Sequence, residues 1–246
     1  MAFFGRLLSA LLATLLFLCG CGKEQIVLRV GVDPNWYPLN FEAQQPFVNG
    51  FIDDLLQEVA SYSGMRIERI ETNWDTLLDG MREKRYDAVI TSIPPYNFNM
   101  AKYDFSKNVL DLGPVLILQE GMNVKGLDDL SHELVGIITG GDASMILQKH
   151  SDILMRGYSV VPVMLDALTD GDIRGALLDR LPATSYVRDL YAGALKIWGK
   201  PLSAKGLHLA VLKGQQKRAL ELFDKSLEQM QKKNKMEALL AKWQLD

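Results

Sequence analysis

Short apolar runs rich in β-branched residues alternate along this chain with segments whose apolar residues recur every three to four positions, and few folds accommodate that alternation. Residues 26–32 read as a buried strand. In residues 50–63, Phe51, Ile52, Leu55, Leu56, Val59 and Ala60 share one helical face, acids at Asp53 and Asp54 suit a first helical turn, and Gly64 is placed to end the helix. Residues 66–72 alternate like a strand, Trp74, Leu77, Leu78 and Met81 return to helical spacing, and residues 87–92 form another strand. This βαβαβ series predicts a largely parallel sheet. A second series predicts strands at 115–118, 134–139, 159–163 and 176–179 with a helix near 143–149, hence a second sheet-centred unit. A strand at 207–212 and two amphipathic helices close the chain. Leu220, Phe223, Leu227 and Met230 form one apolar stripe, and Met236, Leu239, Leu240 and Trp243 the other, with Asn234 between them as a left-handed cap.

The amino terminus says where such a body resides. Arg6 precedes an apolar stretch from Leu7 to Leu18, too short to span a bilayer, and the stretch ends in Leu18-Cys19-Gly20-Cys21. That ending resembles the bacterial lipobox, which implies a lipoprotein-type signal peptide at residues 1–20, lipidation of Cys21 and a tether at 21–25. The location implied is the cell envelope, facing the periplasm or the cell surface, with the membrane reached through the lipid anchor alone. An ordinary signal peptide or a retained signal anchor are the alternatives. With Cys19 removed and Cys21 modified, no thiol remains for a disulfide, so the exported body must hold together through its core. The 27 basic and 30 acidic residues give a formal charge of −3, spread along the chain with no basic tract, which argues against a nucleic-acid partner.

The ordered motifs narrow the class. Leu28-Arg29-Val30-Gly31-Val32-Asp33 is followed by Trp36-Tyr37-Pro38, then by Gly50-Phe51-Ile52-Asp53-Asp54-Leu55, Trp74-Asp75-Thr76-Leu77-Leu78, Tyr86-Asp87-Ala88-Val89-Ile90 and Asp104-Phe105-Ser106. Val135-Gly136-Ile137, Gly171 with Asp179 eight residues on, Leu209-Ala210-Val211 and Lys242-Trp243 come later. In this order the chain resembles the extracellular solute-binding proteins of polar-amino-acid ABC importers, from about residue 26 to 243. The resemblance implies a periplasmic-binding-protein-like α/β fold of two lobes: residues 26–110 with 208–246, and residues 115–202, joined by hinges at about 110–115 and 202–207. It implies a monomer that closes on an amino acid or related amine and delivers it to ABC permease subunits, without cofactor or metal. Phe51, Leu55 and Trp243 read as packing residues, and Tyr86-Asp87 as a strand entry.

Ligands of open α/β sheets lie beyond the carboxyl ends of the strands. Carried over position by position, the resemblance assigns ligand contacts to Asp33, to Trp36 in place of a stacking Tyr, to Trp74 as the opposite wall, to Thr91 and Ser92 as donors, and to Asp179 as the carboxylate for an α-ammonium. For Asp33 the competing reading is a turn cap ahead of Pro34, and for Asp179 a surface acid at a strand end. The family's Arg that clamps the α-carboxylate falls on Asn99, and its Gly-Thr-Thr falls on Gly140-Gly141-Asp142, where Asp142 adds a negative charge. Removing one partner of a buried charged pair costs about 2–5 kcal/mol, so a free amino acid is not expected to be held in the usual way. Either another cation (Arg174, Lys102 or Arg188) supplies the missing charge, or the solute is cationic. Two further classes stay open: an enzyme of the same fold, dehydratase-like, with Asp142 as the acid, or a surface lipoprotein without a ligand. His132, His150 and His208 are scattered and read as surface or cap residues.

Overall fold

A computed structural model describes residues 25–246 except Pro38 and Asn40. The expected signal peptide, Cys21 and most of the expected tether therefore lie outside the described residues. The chain runs β1 (Val27–Val32), a 3-10 turn (Glu42–Gln44), α1 (Gln45–Ser63), β2 (Arg66–Glu71), α2 (Trp74–Arg82), β3 (Ala88–Thr91), α3 (Asn97–Met100) and β4 (Tyr103–Asp111). It continues through β5 (Pro114–Gln119), a 3-10 turn (Leu127–Leu130), β6 (Leu134–Ile138), α4 (Ala143–Leu147), β7 (Leu154–Tyr158), α5 (Val161–Asp170), β8 (Gly175–Asp179), α6 (Arg180–Asp189) and β9 (Leu195–Trp198). It closes with β10 (Gly206–Leu212), α7 (Lys217–Lys232) and α8 (Lys235–Lys242).

The strands make two five-stranded sheets on one plan, β2-β1-β3-β10-β4 and β7-β6-β8-β5-β9. β1 pairs in parallel with β2 and β3, and β6 with β7 and β8. The remaining pairings are antiparallel, because β10 and β5 each enter the fourth position from the other sheet. The expectation of largely parallel sheets thus changes to mixed ones. Helices cover both faces, which is why the central strands are apolar on both sides. In the first sheet Leu28, Val30 and Val32 meet Phe51, Ile52 and Leu55 of α1 and Phe223 and Leu227 of α7. The opposite face packs Val89 and Ala210 on Leu77 and Met81 of α2. There Gly31 makes room for Tyr86: a Cβ at Gly31 would sit 2.8 Å from Cε2 of the ring. In the second sheet Val115, Ile117 and Ala176 pack on Met164, Leu165 and Leu168 of α5, while Leu116, Val135 and Leu177 meet Leu127, Leu130 and Leu147.

Three local readings need correction. The strand expected at 159–163 lies earlier, at Leu154–Tyr158, because Pro162 in the first turn opens α5 there. As an edge strand, β7 leaves Leu154 and Met155 exposed, so it carries no clean burial pattern. Helix α1 starts at Gln45, with Pro46 in its first turn, so Asp53 and Asp54 are mid-helix and pair with Arg69 and Lys242. His208 is a core residue of β10, only 4% exposed. Gly64 (φ 70°) and Asn234 (φ 55°) adopt the left-handed conformations expected of them.

The sheets are joined twice, by Leu112-Gly113 and by residues 199–205. The two straps run side by side: the Leu112 and Gly113 amides donate to the Lys205 carbonyl at 2.9 and 3.1 Å, and Leu202 N–H donates to Pro114 O at 2.8 Å.

Candidate functional site

Four of the predicted positions sit where strands end: Asp33 after β1, Thr91 and Ser92 at the end of β3, and Asp179 closing β8. Their surroundings differ. Asp33 is 3% exposed and its Oδ1 accepts the Asn35 amide at 2.9 Å, so the carboxylate caps its own turn. Trp36 is in the first sheet's core, 4% exposed with φ 59°, and its indole N–H donates to Asn49 Oδ1 at 2.7 Å. The ring offered to solvent is Tyr37, 61% exposed and edge-on to Trp74 at 5.9 Å between centroids. Thr91 Oγ1 accepts the Ile93 amide, and Ser92 beside it is half-buried. Asn99 Nδ2 donates to Pro94 O at 2.8 Å, bracing the loop ahead of α3. Gly141 is exposed in the turn before α4, where Gly140 takes φ 84°.

The structure brings Asp142 and Asp179 together through a residue that the sequence reading passed over. Lys205, on the second strap, places Nζ 2.9 Å from Asp142 Oδ2 and 3.0 Å from Asp179 Oδ2. Burial pulls the Lys205 ammonium down, but the hydrogen bonds and charges of both aspartates outweigh it and hold it above the ordinary lysine range. None of the cations considered from sequence bonds to Asp179 or Asp142. Arg174 enters β8 at the far end from Asp179, 4.0 Å from Glu133. Arg188 pairs with Asp189 and donates to Gln244 O at 3.1 Å, and Lys102 is exposed beside α3. The only advance signal for Lys205 was its place inside a predicted hinge.

Asp179 and Lys205 line a cavity of about 790 Å³ between the two sheet-centred units, and Asp179 is the one predicted site residue among its walls. Phe41 and Phe47 come from the first unit and Leu181, Ser185, Tyr186 and Arg188 from α6, at spacings that put one helical face on the cavity. Gln44 crosses the gap, its amide nitrogen donating to Leu181 O at 2.9 Å and to Ser185 Oγ. Leu181 itself is buried with the first unit's core. A cavity whose walls divide between apolar side chains and polar or charged ones, with a paired acid and base, suits a small polar solute. No group of three or more His, Cys, Asp or Glu suited to a metal ion occurs among the described residues, and no helix among them is long and apolar enough to cross a membrane.

Two mixed sheets with helices on both faces, a double strap and a cavity between the units define a two-lobed binding protein. The profile of the bacterial extracellular solute-binding proteins, family 3, matches residues 28–246, and the chain belongs to that family. It is 28% identical over 224 residues to the L-cystine-binding protein TcyJ of Escherichia coli, covering 90% of this chain and 84% of that protein. It is 22% identical over 222 residues to a probable histidine-binding protein of Campylobacter jejuni, covering 90% and 86%. Its fold is similar to that of the L-cystine solute receptor of Neisseria gonorrhoeae in the unliganded open conformation, with TM-score 0.68 at 19% identity over 89% of this chain and 93% of that one.

Proposed function

We propose that this solute-binding protein is a lipid-anchored receptor of the bacterial envelope that captures an amino acid between its lobes and delivers it to an ABC permease. The anchor reading rests on the apolar run and Leu18-Cys19-Gly20-Cys21. Capture by closure rests on the paired straps, which let residues 26–110 with 208–246 move against residues 115–202 about hinges near 110–115 and 202–207.

The observation that carries the amino-acid reading is the ion cluster at the cavity. Asp179 already receives an alkylammonium, that of Lys205, at 3.0 Å, so its carboxylate has the geometry for a solute's ammonium. A second pair of opposite charges, Arg188 and Asp189, lies at the other end of α6. Nine residues at 1.5 Å each separate it from Asp179, roughly 14 Å, with Leu181, Pro182 and Ser185 between. Charges at both ends and apolar walls between them favour an elongated solute with two amino-acid heads. With the L-cystine-binding protein of Escherichia coli and the L-cystine receptor of Neisseria gonorrhoeae among its likenesses, this puts L-cystine first among the solutes to try.

The test is a melting-temperature survey of the full-length chain, purified in mild detergent and freed of bound solute by unfolding and refolding. The panel holds the common amino acids, L-cystine, their amidated forms and polyamines. A solute at 100 times its Kd adds about 2.7 kcal/mol of stability. A saturable shift with an amino acid supports the reading, and a flat panel overturns it. Incorporation of labelled palmitate that disappears in Cys21→Ser tests the anchor separately.

A further inference from the structure

We propose that Lys205 is a solute-binding residue: its ammonium occupies the seat on Asp179 that the solute's ammonium takes, and once displaced it becomes the counter-ion of the solute's carboxylate. This deepens the amino-acid reading above and rests on it.

The lysine belongs to neither sheet. It sits at the end of the strap that enters β10, while both of its partners are on the second unit. Its backbone is fixed, since its carbonyl accepts two amides from the other strap. Its side chain is not: four rotatable carbons carry a compact charge with donors that can be re-aimed. The side chain is 28% exposed at the cavity edge, so a short swing moves its ammonium from Asp179 into the space where a solute would lie.

Charge chemistry points the same way. Lys205 holds Asp179 Oδ2 at 3.0 Å, so a solute's ammonium that seats on that same oxygen takes the place by exchange of one ammonium for another. The exchange leaves Lys205 beside the incoming molecule, paired with the half-exposed Asp142 alone. The position that the family resemblance assigns to a carboxylate clamp holds Asn99, which is uncharged and committed to Pro94 O. Among the described residues around the cavity, Arg188 is the other cation, and it is paired with Asp189 at the far end of α6. Lys205 therefore supplies at Asp179 the positive charge that position 99 lacks. Asp142, 48% exposed, keeps the free lysine near the site rather than in bulk water.

Two matched probe pairs separate the two halves of an amino-acid head: L-histidine with histamine, and L-cystine with cystamine. Each second member lacks the carboxylates and keeps the amines. Calorimetric Kd values are measured on the full-length wild type, Lys205→Met and Lys205→Arg, with far-UV circular dichroism to establish that each variant is folded. In Lys205→Met the amino acid that binds wild type should weaken by at least about 30-fold, the lower end expected for loss of one partner of a desolvated charge pair. Its decarboxylated partner should bind as well as before or more tightly, because the seat on Asp179 has been vacated. Lys205→Arg should recover much of the amino-acid affinity. A parallel loss for acid and amine, or an unchanged amino-acid affinity in Lys205→Met, overturns the proposal while leaving the amino-acid reading standing. If neither amino acid binds wild type at millimolar concentration while other amino acids stabilise it, the comparison passes to that solute and its amine. If no amino acid binds at all, the reading and the proposal fall together.

Discussion

Asp142 and Asp179 are 48% and 42% exposed where they meet Lys205, and ion pairs that wet add little to folding. Asp179→Asn should therefore melt close to wild type while losing most of its solute affinity, about 30-fold or more, a contrast visible by calorimetry beside a thermal melt. Asp33 is the opposite case. Its carboxylate is buried on the Asn35 amide, so Asp33→Ala should cost about 1–3 kcal/mol of stability, read from the denaturant midpoint. His208 adds a pH dependence. Burial depresses its pKa below the ordinary 6.5, with Ser106 O and Asp111 opposing the shift, and its Nε2 finds no partner among the described residues. The folded protein then binds fewer protons than the unfolded chain once pH drops below about 6.5. Stability from this residue is intact above that pH and falls as pH is lowered toward the depressed value. His208→Gln, which keeps a donor for Ser106 O, should flatten the melting profile between pH 7.5 and 5.5; a slope equal to wild type would assign the dependence to other groups.

At the scale of elements, the C-terminal helix is docked by one aromatic ring and one carboxylate. A Cβ at Gly50 of α1 would run into the Trp243 ring just past α8, and the same indole donates to Asp54 Oδ2 at 2.8 Å. Lys242 bonds that carboxylate too and, with the indole, holds it below the ordinary carboxylate range against its partial burial. Gly50→Ala should destabilise by about 1–3 kcal/mol through overpacking. Combining it with Trp243→Leu should cost less than the two single changes summed, because the clash is shared; additive losses in a denaturant double-mutant cycle would count against the contact. Legibility in the sequence followed burial at this scale. Residues 26–32 and the stripes of α7 and α8 were readable because they are buried. β2, an edge strand with no buried position, was readable from its alternation of isoleucine with charged residues alone. β7, an edge strand, and α6, whose polar positions interrupt its apolar ones, were not, since their environment comes from the other unit or from solvent.

Across the whole molecule the two units are tied by more than their straps. Leu181 of α6 is 2% exposed within the first unit's core, and Gln44 and Gln244 bond to α6 from that side. Leu181→Ala should cost about 2–5 kcal/mol as a large-to-small change and loosen one unit against the other. Small-angle scattering should then give a larger radius of gyration, and an unchanged profile would show that Leu181 does not hold the units together. What the chain's own order determined was the class: two α/β units, the family's motif succession, and an acid at the tip of β8. The two units follow from local periodicity, which each segment carries by itself, and the class follows from the resemblance of the motif succession to the family's. Which side chains share a site was decided only by tertiary structure. Trp36 turned inward and left Tyr37 exposed, and Lys205 met Asp142 from 63 residues away and Asp179 from 26. A side chain's partners depend on how the straps lay one unit against the other, and no local pattern of residues encodes that distance.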